Sequence, residues 1–271
     1  MHNTLASLVE RALQGNHRPL EFYLREQSHL PGPRANLELV NDLCQLLAAL
    51  TPAQPDNVRS LLNHLLHNHH NAIECGPPSE FVILCGVVAF GACAAVRPEW
   101  RGETFEFLTR CANNPSWRVQ EGVALAFQRL LPTSPQETLN CLTHLAFSGN
   151  YFEQRIAITA IAEPAVLNTP ELIAQALVMQ QVILKRLHLT PATERKREDF
   201  RALRKTLGYT VSVVTAATLE AGFALMRECA TWGDADILWV LRENLKKKRL
   251  AKFVETEELT RLLHEPPATS L

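Results

Sequence analysis

Apolar residues recur along the chain at helical spacing, and proline and glycine cut the pattern at intervals. Breakers stand at Pro31-Gly32-Pro33, Pro52 to Pro55, Gly76-Pro77-Pro78, Pro98, Pro115, Pro132 to Pro135, Gly149, Pro170, Pro191 and Gly233. Between them the pattern predicts helices near 3–14, 35–50, 56–68, 79–96, 101–112, 116–131, 135–147, 151–162, 170–188, 197–217, 219–230 and 234–253, with a short one at 256–264. Thr169 before Pro170 and Glu171 is a start signal, with proline at the first helical position, where no N–H is needed. Asp234 opens the last long helix, where an acid suits the helix dipole. Few stretches alternate at period two, so no sheet is expected. Phe81 to Val96 is a run of 16 residues without a charge. It falls short of the ~20 residues of a membrane span, contains two glycines and ends at Arg97-Pro98. It reads as the middle of a helical stack, where a helix must be apolar on all sides.

One template repeats. Val119, Val123, Ala126 and Phe127 occupy positions 0, +4, +7 and +8 of "NPSWRVQEGVALAFQRL". The same positions upstream are Val82, Gly86, Ala89 and Phe90. Downstream they are Glu153, Ala157, Ala160 and Ile161, then Leu203, Leu207, Thr210 and Val211, then Ile237, Leu241, Asn244 and Leu245. Small residues recur at +7 in the first three copies and at +4 in two of them, as a close approach of two helices requires. Successive starts are 37, 34, 50 and 34 residues apart, the period of two-helix repeats that bury their faces against their neighbours. On this phase Ala126→Leu and Ala160→Leu should be harmful, and substitutions on the Ala124 side mild.

The pattern resembles HEAT repeats, whose second helix commonly opens with Asp or Asn-Pro, followed by a hydrophobic residue, a basic residue and an Ala-rich run. "NPSWRVQEGVALAF" matches best, and "NYFEQRIAITAIAEP" and "GDADILWVLRENLKKKRL" match less closely. Gln120 and Leu238 replace the usual basic residue, and the third interval is long. The resemblance covers roughly residues 79 to 253. It implies an all-α α-solenoid, a right-handed superhelix of HEAT-like helix pairs. The expected layout is an N-terminal helical region at 1–75 (degenerate repeats or a cap), repeats at 76–253, and a cap helix with tail at 254–271, all in one continuous domain.

Composition agrees with helices: Leu and Ala dominate and aromatics make up only 7%. Seven cysteines form no C-x-x-C pair, and Cys44, Cys85, Cys93 and Cys141 sit in apolar helical runs. They read as buried free thiols of a reducing compartment. With no basic-then-apolar segment at the N-terminus, a cytoplasmic location is expected. G-x-G-x-x-G, G-K-S/T, G-x-S-x-G and H-E-x-x-H are all absent, which weakens generic enzymatic readings, and no cofactor is expected.

Three groups of residues invite chemistry. Trp117 and Glu121 lie four apart on one helix face. The resemblance extends to HEAT-like DNA-alkylation-repair proteins, which use an aromatic residue and a carboxylate on a concave face beside phosphate-holding basic residues. In that reading Glu121 stabilises the cationic sugar and Trp117 lies against the charged base. The bland alternative is packing for Trp117 and dipole complementation for Glu121. Charge is more uneven than the overall −1 suggests: residues 181–252 hold 15 Lys+Arg against 8 Asp+Glu, a balance of +7 that leaves −8 elsewhere. Arg197, Arg201, Arg204 and Lys205 recur at helical spacing, as do Arg242, Lys246 and Arg249. Such stripes bind phosphates or an acidic partner, or are simply solvated. A pI of 6.8 argues against general nucleic-acid binding. "HLLHNHHNAIEC" offers His64, His67, His69, His70, Glu74 and Cys75; His64 and His67 share a face, a weak alternative for a metal, without a second ligand pair at fixed spacing.

Two functions follow. The leading one is a non-enzymatic scaffold that presents a concave surface to a protein partner. The alternative is a HEAT-like DNA-binding protein of the alkylpurine DNA glycosylase type. In the first, Trp117 should be largely buried between helices. In the second, Trp117, Glu121 and the basic stripe should converge on one cleft.

Overall fold

The computed structural model describes residues 2–32, 34–67 and 76–263. Among them are fourteen α-helices, a short 3-10 turn at Pro98–Trp100 and no strand, so the protein is all-α. The chain divides into two compact units, Met1–Thr138 and Leu139–Leu271. The division falls within the segment read from sequence as repeats.

The first unit contains α1 (His2–Leu13), α2 (Arg18–Glu26), α3 (Leu37–Leu50), α4 (Pro55–Leu65), α5 (Pro77–Val96), α6 (Arg101–Cys111) and α7 (Trp117–Leu130). α5 is its centre and packs against α2, α3, α4, α6 and α7. Every residue from Glu80 to Ala94 is buried. The helix exceeds the apolar run that predicts it because Pro77 and Pro78 form its first turn, where a missing N–H costs nothing. By length and composition alone it is long and apolar enough to cross a membrane, but 83% of its most apolar stretch is buried inside the protein.

Contact between α5 and α7 is at backbone distance. A Cβ added to Gly91 would lie 2.7 Å from the Ala126 Cβ and 2.8 Å from its carbonyl oxygen. The repeat phase read from sequence is the buried phase: Val119, Val123, Ala126 and Phe127 have no exposure. The corresponding positions in the other copies are buried too, except Glu153. Glu153 instead closes a capping box with Asn150 at the start of its helix. One expectation is corrected. Ala124 is 2% exposed, as buried as its neighbours, because α7 is covered on that side as well.

α8 (Pro135–Ser148) runs through the division, and the second unit continues with α9 (Tyr151–Ile161), α10 (Pro170–His188), α11 (Glu198–Ala217), α12 (Leu219–Ala230), α13 (Ala235–Leu245) and α14 (Val254–Leu262). α11 packs on α9, α10, α12 and α13. The buried Asn244 side chain binds α13 to α11: it accepts from Ser212 N at 2.7 Å and donates to the Leu207 carbonyl at 2.8 Å. Within each unit alternate helices pack side by side, α3 on α5 on α7 in one and α9 on α11 on α13 in the other.

The starts of α7 and α9 match in detail. Ser116 and Asn150 each accept a backbone N–H of their helix's first turn. An aromatic residue follows, Trp117 or Tyr151. A buried glutamine comes three residues later. Gln120 donates to the Asn114 carbonyl at 2.7 Å and Gln154 to the Gly149 carbonyl at 3.0 Å.

Two elements differ from expectation. α2 escapes the pattern because it buries only one i,i+4 pair, Leu20 and Leu24, and opens on Pro19. α13 stops at Leu245 instead of 253. Residues 246–253 fold into successive turns, with Lys247 N, Leu250 N and Phe253 N bonding carbonyls three residues back at 3.0, 2.9 and 3.1 Å. These turns bury Leu250 and relieve the helix of four consecutive like charges.

Gly91→Ala and Ala126→Leu should each lower stability by about 1–3 kcal/mol, because the atoms they would meet include backbone and cannot swing aside. Urea midpoints matching wild type in both would show that the α5–α7 contact is looser than described.

Candidate functional site

The second unit's basic residues occupy several different environments. Arg197 is the N-cap residue of α11, and its guanidinium makes two hydrogen bonds to the Asp199 carboxylate, at 3.0 and 2.6 Å. That pairing holds the Asp199 carboxyl below the usual carboxylate range. Arg201, Lys205 and Tyr209 follow at four-residue spacing and line the exposed side of α11. Arg204 faces elsewhere. Its guanidinium lies 3.9 Å from the Trp239 ring centroid, and its Nε is 2.6 Å from Asp236 Oδ1. Of the four-residue basic stripe read from sequence, Arg197 and Arg204 are each engaged by an acid, although Arg197 stays exposed, and Arg201 and Lys205 are exposed without an ion pair among the described residues.

The acids at the start of α13 also hold Arg195, which sequence reading counted only as part of a charge run. Arg195 Nη2 is 2.8 Å from Asp234 Oδ2, and Nη1 is 3.0 Å from Asp236 Oδ2. Arg195 also donates to the carbonyls of Thr190 and His188 at 3.0 and 2.9 Å. Asp234 caps α13 by accepting from Asp236 N and Ile237 N, and it sits 3.3 Å from His188 Nδ1. Burial pushes the Asp234 carboxyl upward, but Arg195, Ile237 N and His188 together outweigh it and hold the group below its ordinary range.

Arg242, Lys246 and Arg249 do not form a helical stripe, because the helix ends before two of them. Arg242 donates to the Leu263 carbonyl at 3.0 Å, and Lys246 pairs with Glu243 at 2.6 Å. Arg249 instead lies 4.5 Å from the Tyr209 ring centroid, with Lys247 at 5.9 Å. Tyr209, 47% exposed, thus joins the exposed side of α11 to the 246–249 turn. No sequence signal marked this residue, since the contact depends on where α13 stops.

The same unit holds a cleft of about 460 Å³ lined by Tyr151, Gln154, Arg186, Leu189, Thr190, Glu194 and Arg197 among others. The Tyr151 hydroxyl is 2.8 Å from Glu194 Oε2 and 3.2 Å from Thr190 Oγ1. Burial raises the phenol's pKa, and the neighbouring Glu194 carboxylate adds to the shift. Arg186 donates to the Phe147 carbonyl at 2.5 Å.

In the first unit Trp117 is 51% exposed, which corrects the expectation that a scaffold would bury it between helices. One face of its ring instead lies against the adjacent Arg118 guanidinium, 4.7 Å from the centroid. Arg118 is fixed in turn by a 2.6 Å ion pair to Glu80, which is 6% exposed. Glu121 is half-buried and already engaged within the protein. His64 turns toward Glu21, at 3.2 Å, and its ring lies 4.4 Å from that of His17, while His67 is exposed beyond the end of α4. His69, His70, Glu74 and Cys75 lie outside the described residues. Among the described residues no group of three or more His, Cys, Asp or Glu is placed to hold a metal ion. Burial pushes the thiols of Cys44, Cys111 and Cys229 up to about 12 and that of Cys93 to about 11, so they remain protonated near neutrality.

No protein-family model matches the chain, and no curated protein is found similar to it.

Asp234→Asn should keep the helix cap but lose one of the two carboxylate partners of Arg195, costing about 1.5–3 kcal/mol near neutral pH. A carboxyl with a depressed folded-state pKa stabilises above its unfolded value and loses that contribution as pH falls through the folded one. Urea melts of wild type and variant should therefore differ at pH 7, begin to converge only as the pH falls below about 4, and meet once it has passed below the folded-state pKa. A gap unchanged at acid pH would assign the loss to packing.

Proposed function

We propose that the protein is a HEAT-like α-solenoid acting as a non-enzymatic scaffold for a protein partner. Three features support the solenoid reading: alternate helices pack side by side within each unit, the repeat template is buried, and α7 and α9 begin alike down to a tied-back glutamine. Repeats of this kind expose long rows of helix surface rather than a single pocket, which suits them to extended partners.

The observation that favours a scaffold over a DNA-repair enzyme is the environment of Trp117. A repair site of the kind implied by the resemblance needs an indole free to receive a cationic base. Here a guanidinium already lies over that indole and is anchored by the buried Glu80 carboxylate. A second cation beside the first would be repelled, and moving Arg118 away would leave Glu80 buried and unpaired, a costly arrangement.

Incubation with plain and alkylated duplex DNA should release no alkylated base above the uncatalysed background. Base release by the wild type that disappears in Glu121→Gln would replace the scaffold reading with the enzymatic one.

A further inference from the structure

We infer that the exposed side of α11, together with the 246–249 turn, is a docking surface for an acidic polypeptide segment; this rests on the scaffold reading and names the chemistry of its partner. The argument begins with which cations are already neutralised. Asp234, Asp236, Asp199 and Glu243 engage Arg195, Arg204, Arg197 and Lys246. Arg186 and Arg242 are turned onto backbone carbonyls. Arg201, Lys205, Lys247, Lys248 and Arg249 form no ion pair among the described residues, Lys247 being only near Glu243, which Lys246 already engages. Lys247 and Arg249 close on Tyr209, and Lys248 is exposed between them in the same turn. Arg201 and Lys205 lead to Tyr209 along α11. The stop of α13 at Leu245 produces this gathering, since it folds the lysine run into turns.

Unneutralised like charges held at neighbouring positions repel one another, and a complementary anionic surface relieves that repulsion. Arg201 and Lys205 stand one helical turn apart, about 5–6 Å between Cβ atoms. Carboxylates one turn apart on an acidic helix have the same spacing, and alternate residues of an extended strand repeat at about 6.6 Å. Polypeptide is favoured over nucleic acid on two grounds. Single-stranded nucleic acid gains much of its affinity from bases stacking on open aromatic faces, and the Tyr209 ring carries two cations. The chain's overall charge of −1 also works against binding a long polyanion.

The full chain is titrated into a short fluorescein-labelled Glu-rich peptide, and into single- and double-stranded oligonucleotides of equal net charge, with anisotropy read across a salt series. The peptide should bind at low ionic strength and weaken as salt rises. The combined Arg201→Glu, Lys205→Glu and Lys248→Glu variant should bind at least about tenfold more weakly, roughly 1.4 kcal/mol. Reversing three exposed cations of the first unit, Arg11→Glu, Arg18→Glu and Arg110→Glu, makes the same change in net charge and should leave affinity within about twofold, small beside the reversed docking face. Circular dichroism and the thermal midpoint establish that both variants are folded. Three results overturn the inference: no peptide binding at low salt, equal losses in the two triple variants, or an oligonucleotide preferred over the peptide through the same residues. Failure of peptide binding without release of alkylated base would leave the scaffold reading standing, because that reading rests on the packing and on Trp117.

Discussion

A helix with no polar side can face water on none of its flanks, and α5 is such a helix over fourteen consecutive buried residues, Phe81 to Ala94. Its enclosure organises the first unit. Each large aliphatic or aromatic side chain that leaves water there contributes about 1.5–3 kcal/mol, but only while neighbours close in on every side. α2, α3 and α4 from the N-terminal region supply part of that enclosure, and α6 and α7 the rest. The region before Gly76 is therefore part of the same core as the helices after it. Where α7 approaches, glycine and alanine replace larger side chains, so that the gap closes without a void.

α11 has the same length as α5 and also sits at the centre of its unit, but it is amphipathic. Phe200, Leu203, Leu207 and Val211 are buried, while Arg201, Lys205 and Tyr209 remain exposed. This contrast separates the roles of the two helices: one is consumed by packing, whereas the other keeps a side free. The acids that begin α13 then select which cations of the region stay unpaired.

Much of this was legible in the sequence. The periodic apolar residues at Val119, Leu203 and Ile237 gave the buried side of their helices, because a 3.6-residue period allows few other placements. α2 was not legible, since nine residues with one apolar pair carry little periodic signal. Nor was the end of α13, where no glycine or proline marks the stop and Leu250 is drawn inward by tertiary packing. At the candidate surface, spacing placed Arg201 and Lys205 on one helix side but could not show that Arg204 faces Trp239 and Asp236, since those partners arrive from a later helix. Tyr209 was invisible for the same reason.

The thiols have a further consequence. Cys44, Cys85, Cys93 and Cys111 are buried in the first unit and Cys229 in the second, whereas Cys141 is partly accessible. A buried, protonated thiol meets an alkylating reagent only when its surroundings open. The five buried cysteines therefore act as built-in clocks, each reporting how often its own part of the core comes apart. A population of molecules labelled at Cys229 before the four buried thiols of the first unit would record the second unit breathing independently of the first, with no engineered probe.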